Sequence, residues 1–337
     1  MLASPRVPVP SAADVRAAAE RIRGAVLRTP LRRSDALSSA AGGDVFLKLE
    51  TEQATGSFKL RGAFNALSLL SPAERERGIV ASSAGNHGLG VAHAARALGI
   101  RATIFVPSTA PRVKRDGIAA LGATVDATEP HYDAAMVRAR AFANETGATF
   151  VHPCLGEPLL AGQGTVALEI MEQLPSVRTV LTCVGGAGLL GGMSAFLRGE
   201  FPGVRIVGAQ TERTNAMAVA LDAGTLVEIP TLPTLADGLA GQIDEAALAI
   251  GRFGLDEIAV ITEDETAAAI RWLFRNEDVK AEGSGAVTVG ALLAQRVREI
   301  RFPAVCVVSG RNIDDERFDA ILSAPPAVSR SARAGSP

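Results

Sequence analysis

The sequence predicts an α/β fold of open, mainly parallel sheets flanked by helices, and three observations carry that prediction. Short β-branched runs alternate with longer alanine-rich segments of helical spacing over most of the chain. Two of the runs, VLTCV at 180–184 and AVCVV at 304–308, are apolar almost throughout, as strands covered on both faces are. The segments between runs are long enough for right-handed helical crossovers, the connection that parallel neighbours require.

Taken in order, candidate strands lie at 45–49, 79–82, 103–106, 124–126, 149–151, 179–183, 205–209, 258–261 and 304–308. Helical patterns fill the intervals, the clearest at 87–98, 132–146 and 157–174. The first twenty residues lack the apolar core of a signal peptide and run into a helical pattern. Polar, glycine-containing turns near 53–56 and 152–156 divide the chain into a large domain (1–53 and 153–322) with a small domain, 54–152, inserted into it. The Pro/Ser/Ala-rich residues 323–337 are expected to be a disordered tail.

Composition narrows the function. With 337 residues, 47% of them hydrophobic, there is material for two packed domains. The net charge of −2, with both signs spread along the chain, offers no basic surface for nucleic acid. One Trp and one Tyr cannot build a base-stacking platform. No apolar run approaches the roughly 18–20 residues that span a bilayer. Cys154, Cys183 and Cys306 lie far apart without CxxC spacing, so they read as buried thiols of a cytoplasmic protein, with no metal site implied.

Function has to come from local motifs, and four stand out. In KLETEQATGSFKLRGA (48–63) a strand gives way to a polar loop, Ser57 is placed to cap a helix, and Leu60, Phe64 and Leu67 form an apolar stripe. Lys59 then falls in the first helical turn, where the partial positive charge disfavours its ammonium form and favours a nucleophilic amine. The residues alone leave a solvated surface lysine as the other reading. SSAGNHG (82–88) follows a strand and opens a helix, a turn that presents backbone N–H groups to an anion or is simply a tight capped turn. VGGAGLLGG (184–192) is the clearest phosphate cradle; it also holds a formal GxGxxG at Gly186, Gly188 and Gly191, which keeps a nicotinamide-dependent oxidoreductase open as an alternative. VSGRN (308–312) ends the last apolar strand, where α/β sheets line their ligand crevice.

Together, residues 48–63, 82–88, 185–189, 237–240 and 309–312 resemble the threonine/serine dehydratase and serine racemase family of fold type II pyridoxal-phosphate enzymes, over nearly the whole chain. The resemblance implies a tryptophan-synthase-β-like architecture of two sheets, pyridoxal 5'-phosphate as cofactor, an amino-acid substrate and a homodimer. It implies that Lys59 holds the cofactor as a Schiff base and later moves the α-proton, with Phe58 beside the ring and Asn86 bonded to the phenolic oxygen. Ser82, Ser83, Asn86 and His87 would receive the substrate carboxylate. Backbone N–H groups of Gly185, Gly186, Ala187, Gly188 and Leu189 would hold the phosphate, and Ser309 would face the pyridine nitrogen.

The implied reaction is β-elimination from a 3-hydroxy amino acid such as threonine or serine, giving a 2-oxo acid and ammonia. A hydroxyl at Ser309 cannot strongly protonate the ring, which makes a milder electron sink and favours prompt loss of the β-hydroxyl. Several residues depart from the family pattern. Ala187 replaces a loop glycine, which requires the loop there to keep a backbone conformation that alanine can adopt. Arg311 interrupts the usual SGGN, and Gln210 stands where relatives commonly carry a cation-binding Glu, so no metal is expected there. Ala84 occupies the position of the second serine that racemases use as a base, which favours elimination over the alternative, racemisation. His131 and His152 read as packed or solvated residues.

Overall fold

The structure, a computed structural model, describes residue 7 and residues 9–324. Of the expected tail, residues 325–337 lie outside the described residues; Ser323 closes the helix Asp315–Ser323. Among the described residues the strands are β1 Leu31–Arg33, β2 Val45–Leu49, β3 Ile79–Ser82, β4 Ala102–Phe105, β5 Thr124–Asp126, β6 Thr149–Phe150, β7 Thr179–Cys183, β8 Arg205–Thr211, β9 Glu257–Ile261 and β10 Ala304–Val308. Six form one sheet in the order β1-β2-β10-β7-β8-β9, and four form a second in the order β5-β4-β3-β6. Every pairing is parallel except that of β1 with β2. The predicted class, α/β with mainly parallel sheets flanked by helices, is the class observed.

Two strands differ from expectation by more than one residue at an end, each for an identifiable reason. Leu31-Arg32-Arg33 carries no apolar run, yet it pairs antiparallel with Lys48, Leu47 and Phe46 at the sheet edge, where backbone hydrogen bonding suffices. β8 continues two residues past Ala209 because Gln210 and Thr211 still pair with Val260 and Ile261. Gln210 is buried there with its amide satisfied, donating to the carbonyls of Val184 and Thr214.

The core follows strand alternation. On β10, Val305 and Val307 enter one apolar cluster with Leu190 and Met193, whereas Cys306 and Val308 enter another with Leu47, Leu181 and Val289. Each fully buried side chain of this size contributes roughly 1.5–3 kcal/mol. Because β2, β10 and β7 run parallel, their carboxyl ends share one sheet edge. From that edge emerge the Lys59, Ser309 and glycine loops.

A buried ionic network fixes the helix that carries Lys59. The Arg61 guanidinium bonds Glu50 through Nε and Nη2, both at 2.8 Å, and Glu169 at 2.6 and 2.9 Å. Lys48 Nζ donates to Glu169 at 2.6 Å, to the Thr29 carbonyl at 2.8 Å and to Gln173 at 2.9 Å. Two cations face two carboxylates, so the cluster is balanced in charge. Burial alone would raise the Glu50 carboxyl, but Arg61 and Lys48 hold it below the usual carboxylate range. Gly162, on helix Glu157–Gln173, faces this helix so closely that a Cβ there would lie 2.5 Å from the Arg61 carbonyl oxygen.

Candidate active site

Lys59 opens helix Lys59–Ser68, as predicted, but Ser57 does not cap it. The cap position is Phe58, and Ser57 instead forms an antiparallel bridge with Gly310. Phe58 N–H donates to the Ser309 carbonyl at 3.2 Å, and Arg311 N–H donates to the Gly56 carbonyl at 2.9 Å. These backbone bonds zip the Lys59 loop onto the 309–311 loop. The Ser57 hydroxyl is buried without a hydrogen-bond partner. Leu60, Phe64 and Leu67 are buried as the stripe required. Lys59 is half-buried, its Nζ 2.8 Å from the Pro153 carbonyl oxygen, 3.8 Å from Cys154 Sγ and 5.3 Å from the centre of the Phe58 ring. The surface-lysine reading therefore fails.

Residues 82–88 make the second wall. β3 ends at Ser82, and helix Asn86–Leu98 starts after Gly85 with no side-chain cap, so its first N–H groups lack intrahelical acceptors. The Ser83 hydroxyl accepts from Gly85 N–H at 3.1 Å, while the buried Ser82 hydroxyl has no partner. Burial, reinforced by the charge of Lys59, pushes the His87 imidazole down to about 3. The neutral ring donates from Nε2 to the Val151 carbonyl at 3.0 Å, leaving Nδ1 a buried acceptor with no partner. An acceptor cannot bind a carboxylate, so His87 can serve an anion only through its backbone N–H.

The third wall is the loop after β7. Ala187 sits at φ 62°, ψ 10°, in the small left-handed region that alanine enters at a cost rather than in an ordinary alanine conformation, and holds the cap position of helix Gly188–Glu200. A Cβ added at Gly185 would lie 3.0 Å from Leu239 Cα, and one at Gly186 would lie 2.8 Å from Cys154 Sγ. The turn presents the open N–H groups of a helix N-terminus, a natural anion site. Leu189 is buried beneath it. Gly191, the last glycine of the formal GxGxxG, is inside that helix, where a Cβ would meet Ile250 and Leu160 at 3.3 Å.

Ser309 is buried; its hydroxyl accepts from the Cys183 thiol at 3.4 Å and donates to the Ser284 carbonyl at 3.3 Å. Asn312 Nδ2 donates to Asn86 Oδ1 at 2.6 Å and to the Thr55 carbonyl at 2.8 Å. Asn86 Nδ2 donates in turn to Glu282 Oε1 at 2.6 Å. The loops that sequence singled out thus meet at one place, linked by Cys154, Asn312 and Glu282.

The profile of the family described as "Pyridoxal-phosphate dependent enzyme" matches residues 22–310. The chain belongs to that family. Pyridoxal phosphate is its cofactor, and a dinucleotide at the 186–191 glycines is set aside. This pyridoxal-phosphate enzyme is 42% identical over 311 residues to the L-threonine ammonia-lyase of Thermotoga maritima, covering 92% of the chain and 77% of that protein. It is similar in structure to maize serine racemase, with a TM-score of 0.88 at 29% identity over 93% and 96% of the two chains. It is also similar to threonine deaminase isoform 2 of Solanum lycopersicum, with a TM-score of 0.86 at 29% identity over 94% and 90%.

The residues fit the cofactor. A half-buried primary amine, a helix N-terminus that side chains would crowd and buried hydroxyls of Ser57 and Ser82 without protein partners converge on one edge. Sequence reasoning missed two residues that lie where these loops meet. Cys154 was read as a buried thiol, but it is half-buried and touches both Lys59 and the glycine loop. Its position straight after His152-Pro153, at the end of β6, was the available signal. Glu282 gave none. Arg311, which interrupts the SGGN pattern, is exposed. His131 caps helix Tyr132–Thr146 and His152 Nδ1 accepts from the backbone of Cys154 and Leu155, so both are structural.

Proposed function

We propose that this enzyme catalyses β-elimination from a 3-hydroxy amino acid, threonine or serine, to a 2-oxo acid and ammonia. The observation that carries the reading is the Lys59 amine, held at the sheet edge between the Ser82–Gly88 turn and the glycine loop. The names of the similar proteins, threonine ammonia-lyase and threonine deaminase, support the same substrates.

In this reading the bound cofactor supplies an electron sink for the substrate Cα. Lys59 holds it and then moves the α-proton. Phe58 packs beside the ring, and Asn86 donates to the phenolic oxygen. Backbone N–H groups of Gly185, Gly186, Ala187, Gly188 and Leu189 bind the phosphate. Ser309, a neutral hydroxyl already engaged with Cys183 and Ser284, leaves the ring nitrogen without a strong proton donor. The turn formed by Ser82, Ser83, Asn86 and His87 binds the substrate carboxylate through hydroxyls and backbone N–H groups, with His87 contributing its main chain alone.

Residues 54–152 form the small inserted domain in this proposal, with 1–53 and 153–322 as the large one. A cytoplasmic homodimer completes it; for the compartment, the three free thiols suit a reducing one. No helix among the described residues is long and apolar enough to cross a membrane. Sedimentation of the purified protein tests the dimer.

Racemisation is the second reading, favoured by the likeness to serine racemase and opposed by Ala84. The deciding experiment measures 2-oxo acid release from a panel of L- and D-hydroxy amino acids. The purified protein is expected to be yellow, borohydride to fix the cofactor on Lys59, and Lys59→Ala to abolish turnover. Substantial turnover by that variant would falsify the assignment.

A further inference from the structure

Glu282 directly precedes helix Gly283–Leu293 at its cap position, but its side chain makes no capping bond. A carboxylate there ordinarily accepts from the first helical N–H groups. This one is buried and accepts from Asn86 instead, at 2.6 Å. It also lies against the Ser309 loop, because a Cβ on Gly310 would meet Glu282 Oε1 at 2.5 Å.

The hydrogen-bond chain fixes the Asn86 amide. Asn312 Nδ2 uses its two hydrogens on the Thr55 carbonyl and Asn86 Oδ1. A flipped Asn86 would set its own NH2 against that donor, so the oxygen must face Asn312. Asn86 Nδ2 then has two hydrogens, one of which Glu282 takes. The other remains for the cofactor.

We propose that Glu282 is a positioning residue: it takes one Asn86 hydrogen, aims the second at the phenolic oxygen of the cofactor, and by its own ionisation changes the charge beside that oxygen. This inference rests on the proposed contact between Asn86 and the cofactor. Burial, with Asp237 adding to it, pushes the Glu282 carboxyl up to about 8, against the opposing pull of the Asn86 bond, Lys114 and Lys59. Asp237 lies in the turn Asp237–Leu239 and Lys114 on helix Arg112–Ala120; Asp314 and Arg317 line the same small cavity. Lys114 Nζ stands 3.9 Å from Asp237 and 4.0 Å from Asp314, so it is shared among the acids. Below its midpoint Glu282 is a neutral acceptor. Above it an anion adjoins Asn86 and disfavours negative charge on the phenolic oxygen.

The test follows the visible absorption band of the holoenzyme, and the carboxyl infrared band of the cofactor-free protein, across pH about 8. Both are expected to titrate there in the wild type. Glu282→Gln should remove both steps, and Asp237→Asn should move both midpoints to lower pH. A visible step that survives unchanged in Glu282→Gln overturns the proposal, as does a Glu282 carboxyl band that titrates in the ordinary carboxylate range. Asn86→Ala separates the two ideas. If it shifts the visible band while Glu282 variants do not, the role of Glu282 fails and the Asn86 contact stands. If neither moves the band, the Asn86 contact itself fails.

Discussion

Arg61 grips both oxygens of Glu169, at 2.6 and 2.9 Å, inside the fold. That pair joins the helix carrying Lys59 to helix Glu157–Gln173, and Lys48 leans on the same carboxylate. Glu169→Gln would leave two buried cations facing Glu50 alone. The expected loss is about 3–5 kcal/mol, the usual result of removing one member of a buried ionic cluster. Chemical denaturation measures it, and a loss below about 1 kcal/mol would show that the cluster is not a closed charge set.

Ala187 should respond in the opposite sense. A left-handed backbone costs a residue with a Cβ roughly 1–2 kcal/mol, and the greater unfolded freedom of glycine returns about 0.4–1. Ala187→Gly is therefore expected to stabilise the protein by up to about 1.5 kcal/mol, read as a higher Tm. A lower Tm would mean that the alanine methyl is making contacts worth more than the strain.

His87 makes stability depend on pH. Its folded value of about 3 lies below the ordinary 6.5, so on acidification the unfolded chain takes up a proton that the folded one refuses. The contribution is intact above pH 6.5 and is lost as pH falls toward 3. Denaturation midpoints should drop over that window, and His87→Gln should flatten the drop. An equal slope in the variant would assign the effect to other groups, first among them His152, whose imidazole burial pushes down to about 4.

Ala84 is the position expected to divide elimination from racemisation. Ala84→Ser is predicted to raise D/L interconversion relative to 2-oxo acid formation, both followed on serine. An unchanged ratio removes Ala84 as the determinant.

Strands were legible wherever burial on both faces forced an apolar run, as at Thr179–Cys183 and Ala304–Val308. Leu31–Arg33 was not, because an edge strand needs only a backbone partner. Within the site, Lys59 and the glycine turn announce themselves through local backbone demands. Ser57 misled because its competitor for the cap, the bridge to Gly310, comes from the far end of the chain. Cys154 and Glu282 owe their standing to neighbours distant in sequence, and a lone thiol or carboxylate carries no mark of such company.

The zipper between 56–58 and 309–311 has a consequence for biosynthesis. The Lys59 loop leaves the ribosome well before Ser309 and the strand that places it. Until β10 has entered between β2 and β7 and brought Ser309 against the Lys59 loop, the amine has no completed pocket around it. On the proposed role of Lys59, vitamin loading has to wait for completion of the large sheet.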